Sequence, residues 1–121
     1  KDCKAALAKS GTVTLELAFH QVPTVVHYEL STLNYIIAKY ILRLRLPHYC
    51  IVNILGQQRI FPELIGRKIL APDLSKQLDM LYVDKQRRKS IQEACETLKQ
   101  HLGQTFSHQC AARAIQELLE C

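Results

Sequence analysis

The sequence predicts an α/β fold whose first half alternates strands with helical segments and whose second half is helical. Up to about residue 70, short apolar runs alternate with a segment of helical periodicity, as a parallel sheet with crossover connections requires. From Pro72 onward the apolar residues recur at helical spacing. At 121 residues the chain has room for one domain, taken as 1–121, α/β over about 1–70 and helical over about 71–121.

The elements follow in order. Ala5-Ala6-Leu7-Ala8 is a short apolar run, read as a strand that ends in the small-residue turn Ser10-Gly11-Thr12. Val13 to Phe19 alternates apolar and polar residues, so local propensity favours a strand there. Thr24-Val25-Val26-His27-Tyr28 reads as a buried strand after Pro23. Ser31 is a candidate cap, and Leu33, Ile36, Ile37, Tyr40, Ile41 and Leu44 recur at helical spacing until Pro47. Tyr49 to Leu55 is a further strand candidate.

In the helical half, Leu74, Leu78 and Leu81 begin one pattern, and Ile91, Ala94, Cys95, Leu98 and Leu102 continue it to a stop at Gly103. Ser107 is a candidate cap for a last helix with the face Ala111, Ile115, Leu118 and Leu119.

Sixteen basic against eleven acidic side chains give +5, a mild excess that suits an anionic partner but equally an ordinary soluble surface. The five cysteines are scattered and odd in number, which fits a reducing compartment better than a disulfide framework. Neither they nor the five histidines fall at metal-ligand spacing, so no metal and no cofactor are expected. The chain begins at Lys1 without Met and shows no signal peptide, as a fragment or a processed chain would. No segment reads as a membrane-spanning helix.

A strand ending in a small-residue turn that opens a helix is a recipe for holding phosphate. The first helical turn has unpaired N–H groups, and the helix dipole favours negative charge there. Gly11 lets the backbone approach a ligand closely, while Ser10 and Thr12 add hydroxyl donors. Glu16, four residues after Thr12, lies about one turn inside such a helix, where a carboxylate can accept bonds from vicinal ribose hydroxyls. On spacing alone, an ordinary capped turn and a solvated helix-face glutamate are the favoured readings of these residues.

Longer stretches carry a resemblance. Ala6 to Glu16, with its Ser-Gly-Thr-x-x-x-Glu core, is followed by Pro23-Thr24-Val25-Val26 and Tyr28, then by Asn53-Ile54-Leu55 and Phe61-Pro62-Glu63-Leu64. Over about residues 4 to 70 this resembles the lipid-A-disaccharide synthases. The resemblance implies a partial Rossmann-like, carboxy-terminal domain of a GT-B glycosyltransferase with a helical C-terminal tail. Ser10, Gly11 and Thr12 would open a helix beneath a nucleotide-sugar diphosphate, and Glu16 would bind ribose. On that basis Thr12 to about His20 is read as helix against its β-like pattern.

Asn53 is carried over as the catalytic residue, placed at the carboxyl end of the Tyr49–Leu55 strand, where open α/β sheets bind ligands. A buried asparagine bonded to a turn is the alternative. His48 and Cys50 lack an orienting partner and are not taken as a nucleophilic pair. The resemblance also has gaps. Val52 stands where the family usually has Pro, Gln57-Gln58-Arg59 replaces the common Gly-Arg-Glu, Gly66 replaces a frequent Gln, and Glu29 an Arg. Arg59 is the residue that would restore a phosphate-binding charge to that loop.

The family's reaction joins UDP-2,3-diacylglucosamine to the 6-hydroxyl of 2,3-diacylglucosamine 1-phosphate, with inversion and release of UDP. The resemblance therefore implies an enzyme of lipid A biosynthesis, cytoplasmic and peripheral on the inner membrane of a Gram-negative-type bacterium. The chain would be its nucleotide-sugar side, inactive alone, with the general base in an amino-terminal part; a homodimer is compatible with this. The helix after Ser31 is apolar nearly all round and also basic. Leu33, Tyr35, Lys39 and Arg43 are the candidate membrane and acyl patch, although core packing explains most of its apolar side chains.

Lys85, Arg87, Arg88 and Lys89 read as a solvated helix start, and no nucleic-acid partner is expected. The rival reading is a non-catalytic, basic module that docks on membranes or nucleic acid through its helices.

Overall fold

The computed structural model describes residues 3–41, 47–103 and 107–120. Its centre is a parallel sheet of three strands in the order β1-β2-β3: β1 (Ala6–Lys9), β2 (Thr24–Glu29) and β3 (Glu63–Gly66). Ala6 pairs with Thr24 and Lys9 with His27, while Val26 pairs with Glu63 and Glu29 with Gly66. The strand ends are thus staggered, and β3 reaches beyond β1 at the carboxyl end of the sheet. β3 was not among the expected strands; its four residues follow Pro62 and are too few to show a period.

Successive strand residues point to opposite faces, and Val25 and Val26 are both buried, so the middle strand is covered on both sides. Helix α1 (Thr12–Phe19) and helix α4 (Ala71–Val83) both pack on β1 and β2. Helix α5 (Lys85–Leu102) packs in turn on α1 and α4. Its stripe works as expected: Ile91, Cys95 and Leu98 are buried and join Val25, Phe61 and Leu81 in one core. The side-chain amide of Gln21 donates to the Glu96 carboxylate, tying the end of α1 to α5. Mixed α/β structure with a parallel sheet and C-terminal helices is the partial Rossmann-like architecture anticipated from the sequence.

The β-like stretch after Gly11 is helical over Thr12–Phe19. Burial explains why: Thr14 and Ala18 face the core while Glu16 between them is exposed, which a helix allows and a strand, putting all three on one face, does not. Ser31 caps α2 (Thr32–Ile36), its side chain accepting from the Asn34 N–H at 3.2 Å. From Ile37 to Ile41 the turn widens to π-helical geometry, and the rest of the helix expected to Leu46 lies outside the described residues.

The strand expected over Tyr49–Leu55 is instead helix α3 (Ile51–Gly56). Short apolar runs are ambiguous between strand and helix. Here a distant carboxylate decides: Glu63 accepts from the N–H groups of Cys50, at 2.9 Å, and Tyr49, at 3.3 Å, and so caps the helix. α4 gives way to α5 at Asp84, whose side chain accepts from the Arg87 N–H at 2.9 Å. Arg88 reaches back to the Leu81 carbonyl at 3.1 Å and to that of Tyr82, closing the open end of α4. The basic run is therefore a helix start, as expected. Gly103 ends α5 at φ 78°, a left-handed angle that glycine takes without penalty. Helix α6 (Ser107–Leu119) carries its face of Ala111, Ile115, Leu118 and Leu119 exposed rather than packed.

Candidate functional site

Carboxyl ends of parallel strands are where open α/β sheets bind ligands. At that end β1 runs into Ser10, whose N–H donates to the His27 carbonyl at 2.8 Å and so continues the pairing one residue further. Gly11 then turns the chain into α1 with no side-chain cap and no acidic residue in the first turn. The N-terminus of α1 consequently keeps its positive end undiminished. A Cβ placed on Gly11 would meet nothing within 4 Å, so the space above the turn is open.

Thr14 fixes the geometry of this turn. Its hydroxyl donates to the Gly11 carbonyl at 2.6 Å, and its N–H donates to the same oxygen at 3.2 Å. The buried Cys50 thiol donates to the Thr14 hydroxyl at 3.6 Å, which joins the start of α3 to the start of α1. Thr12 and Glu16 are exposed, one helical turn apart, and Ser10 is half-buried. Ser10, Gly11, Thr12 and Glu16 are thus brought together at one end of the sheet. Neither Thr14 nor Cys50 was singled out from sequence for this role; only the packing of α3 on α1 shows it.

Asn53 is a different case. It lies in the first turn of α3, not at a strand end, and is fully buried. Its amide nitrogen donates to the Phe61 carbonyl at 2.8 Å and to Glu63 at 2.7 Å, while its oxygen accepts from the Phe61 N–H at 2.8 Å. The amide is occupied by the protein itself, so Asn53 positions the segment between α3 and β3 rather than presenting a polar atom to a ligand. Glu63, which closes this network, belongs to the Phe-Pro-Glu-Leu stretch noted in the sequence.

The remaining candidates separate. Arg59 is exposed and donates to the Glu63 carbonyl at 3.3 Å, beside a cavity of about 390 Å³ that Gln77, Arg87 and Ser90 also line. It does not join Ser10–Thr12. Leu33 is 67% exposed, so the core-packing reading fails for it, and Tyr35 is half-buried. Lys39 is exposed, with its ammonium 5.5 Å from the Tyr35 ring and 5.3 Å from that of Tyr40. The Tyr35 hydroxyl bonded to that ammonium raises the Lys39 pKa above the ordinary lysine value. Arg43 lies outside the described residues. Among the described residues no cluster could hold a metal ion, and no helix is long and apolar enough to cross a membrane.

Comparison with known proteins adds the family. The chain is 39% identical over 100 residues to the lipid-A-disaccharide synthase of Chlamydia abortus, covering 81% of this chain and 16% of that protein. It is 36% identical over 113 residues to the enzyme of that name from Prochlorococcus marinus, covering 93% of this chain and 29% of that one. A shorter match, to the protein of the same name from Chlamydia pneumoniae, is 46% identical over 68 residues and covers 56% and 11%. The chain therefore spans less than a third of the length of these relatives. No solved structure matches it significantly. The family model described as lipid-A-disaccharide synthetase matches residues 1–117, nearly the whole chain, and the chain belongs to that family.

Proposed function

We propose that this chain forms the nucleotide-sugar side of a lipid-A-disaccharide synthase, a glycosyltransferase. The observation that carries the reading is the uncapped start of α1 directly after β1, with open space over Gly11. A diphosphate sits there on the N–H groups of the first turn, with the Ser10 and Thr12 hydroxyls beside it. Glu16, one turn along, accepts from the ribose hydroxyls. Asn53 acts indirectly, by holding the α3–β3 segment against α1 through Glu63 and Cys50.

In the reaction proposed for the whole protein, UDP-2,3-diacylglucosamine is the donor. The 6-hydroxyl oxygen of 2,3-diacylglucosamine 1-phosphate forms a bond to the anomeric carbon. The bond from that carbon to the diphosphate breaks on the opposite face, and UDP leaves with the electron pair. Helix-end donors stabilise the charge that grows on the diphosphate, with no metal called for. A base takes the hydroxyl proton, and we assign it to a part of the protein beyond these residues. The chain alone is then without transferase activity. Leu33, Tyr35 and Lys39 form a patch for the inner surface of a bacterial membrane, where acylated sugars reside, and Arg43, outside the described residues, is the fourth candidate for it.

The test is a UDP titration followed by backbone amide NMR. Gly11 and Thr12 are expected to shift most, and Glu16→Ala to weaken binding. Shifts spread evenly over basic surface residues, unchanged by Glu16→Ala, would overturn the reading.

A further inference from the structure

A cluster of basic side chains lines a cleft at the same end of the sheet as Gly11 but two strands away. Thr32 and Tyr35 of α2, with Ile65 and Gly66 of β3 and the following Arg67 and Lys68, line an open cleft of about 560 Å³. The Arg67 guanidinium lies 5.8 Å from the Tyr35 ring and donates to the Thr32 hydroxyl at 3.4 Å. Stacking of this kind holds the planar fork of an arginine while leaving its other N–H groups free for a ligand. Lys39 lies near the same ring, 5.5 Å away, so Tyr35 is flanked by two cations.

One carboxylate stands beside the cleft. Glu29, at the end of β2, turns one carboxylate oxygen to the Ile69 N–H at 3.0 Å. Among the described residues Arg67, Lys68 and Lys39 have no carboxylate within ion-pair distance. Gly66 leaves the floor bare: a Cβ there would meet nothing within 4 Å. Arg67 and Lys68 both line this open, bare-floored cleft, and Lys39 stands nearby at the Tyr35 ring, a concentration of positive charge that favours an anion. Two hydroxyls and an arginine fork match the oxygens of a phosphate better than those of a carboxylate.

We propose that this cleft binds a phosphate monoester, held by Arg67 and Lys68 with the Thr32 hydroxyl, separately from the site at Gly11. Two strand spacings, about 10 Å, separate the two ends of the sheet edge on which they stand. The monoester comes either on a soluble molecule or as a lipid headgroup, the latter consistent with exposed Leu33 and Ile36 on the neighbouring helix. The proposal does not depend on the nucleotide reading of Gly11.

The experiment titrates the full chain with inorganic phosphate, with UDP, and with vesicles of phosphatidylcholine containing or lacking phosphatidic acid, reading backbone amides by NMR. Phosphate is expected to shift Thr32, Gly66, Arg67 and Lys68, and Arg67→Ala to weaken it roughly tenfold or more. Arg67→Lys, which keeps charge but loses the fork, is expected to fall between. The same amides responding only to phosphatidic acid vesicles identify a headgroup; a response to phosphate in solution with none to vesicles identifies a soluble ligand. Phosphate shifts that survive an Arg67→Ala, Lys68→Ala double variant would overturn the site. So would UDP moving Gly66 and Arg67 together with Gly11, since the cleft would then belong to the nucleotide. UDP binding unchanged at Gly11 in Arg67→Ala keeps the two sites distinct.

Discussion

Asn53 and Phe61 hold each other as neighbouring strand residues would, with the side-chain amide of one standing in for a backbone: nitrogen to carbonyl at 2.8 Å, and N–H to amide oxygen at 2.8 Å. Both residues are fully buried, and the same amide nitrogen also reaches Glu63. One side chain thus fixes where the chain leaves α3 and where it enters β3.

Replacing Asn53 with Ala strands the Phe61 N–H and carbonyl away from water. Unpaired buried groups cost about 1–3 kcal/mol each, so Asn53→Ala is expected to destabilise the fold by roughly 2–5 kcal/mol. Urea unfolding followed by circular dichroism measures this. A loss below about 0.5 kcal/mol, the size of a typical surface substitution, contradicts the positioning role.

Glu63 caps α3 as an anion, accepting from the Cys50 N–H at 2.9 Å and from Asn53 at 2.7 Å. Glu63→Gln keeps the shape and removes the charge. It is expected to cost about 1 kcal/mol, the usual worth of a cap and of an anion at a helix start. If the denaturation midpoint stays put at high and low salt alike, the carboxylate is not what starts this helix.

Glu16 is exposed on α1, so Glu16→Ala is expected to leave stability within about 0.5 kcal/mol of the original. UDP affinity, by contrast, is expected to fall roughly tenfold, the loss of one charge-assisted bond. Calorimetry and thermal unfolding on the same preparation separate the two effects. Equal UDP affinities would remove Glu16 from the site.

The cysteines divide by burial. Cys3 and Cys110 are exposed and are expected to react with maleimide first, while Cys50 and Cys95 wait for unfolding. Burial pushes the Cys95 thiol from 9.0 up to about 11. The folded state therefore keeps this proton where the unfolded chain loses it. Stability from this group is complete below pH 9.0 and is lost as pH climbs toward about 11. Unfolding between those values, compared with Cys95→Ala, is expected to show a downward slope that the variant lacks in part.

Much of the fold was readable where a pattern is local. Ile91, Cys95 and Leu98 announce the buried stripe of α5, and Ser31 and Gly103 mark helix ends by their own chemistry. The helix after Gly11 was legible only through the resemblance, because its alternation imitates a strand while Thr14 is claimed by the core. α3 was misread because its cap comes from Glu63, beyond the helix and across a turn, and no local window contains both. Of the candidate site, Ser10, Gly11, Thr12 and Glu16 do gather at one place. Arg67 and Lys68 escaped notice because two adjacent cations after a glycine look like any loop until α2 lies beside them.

The corner at Asp84 has a mechanical consequence. Because Arg88 grips the last carbonyls of α4 while Asp84 grips the first turn of α5, the bend between them is a locked elbow rather than a hinge. The two helices form one bent lever whose fulcrum is Leu81, wedged in the core against the sheet. Since α4 packs on β1 and β2 and α5 on α1, a shift of this bent unit would be felt first by the strand and helix that flank Gly11.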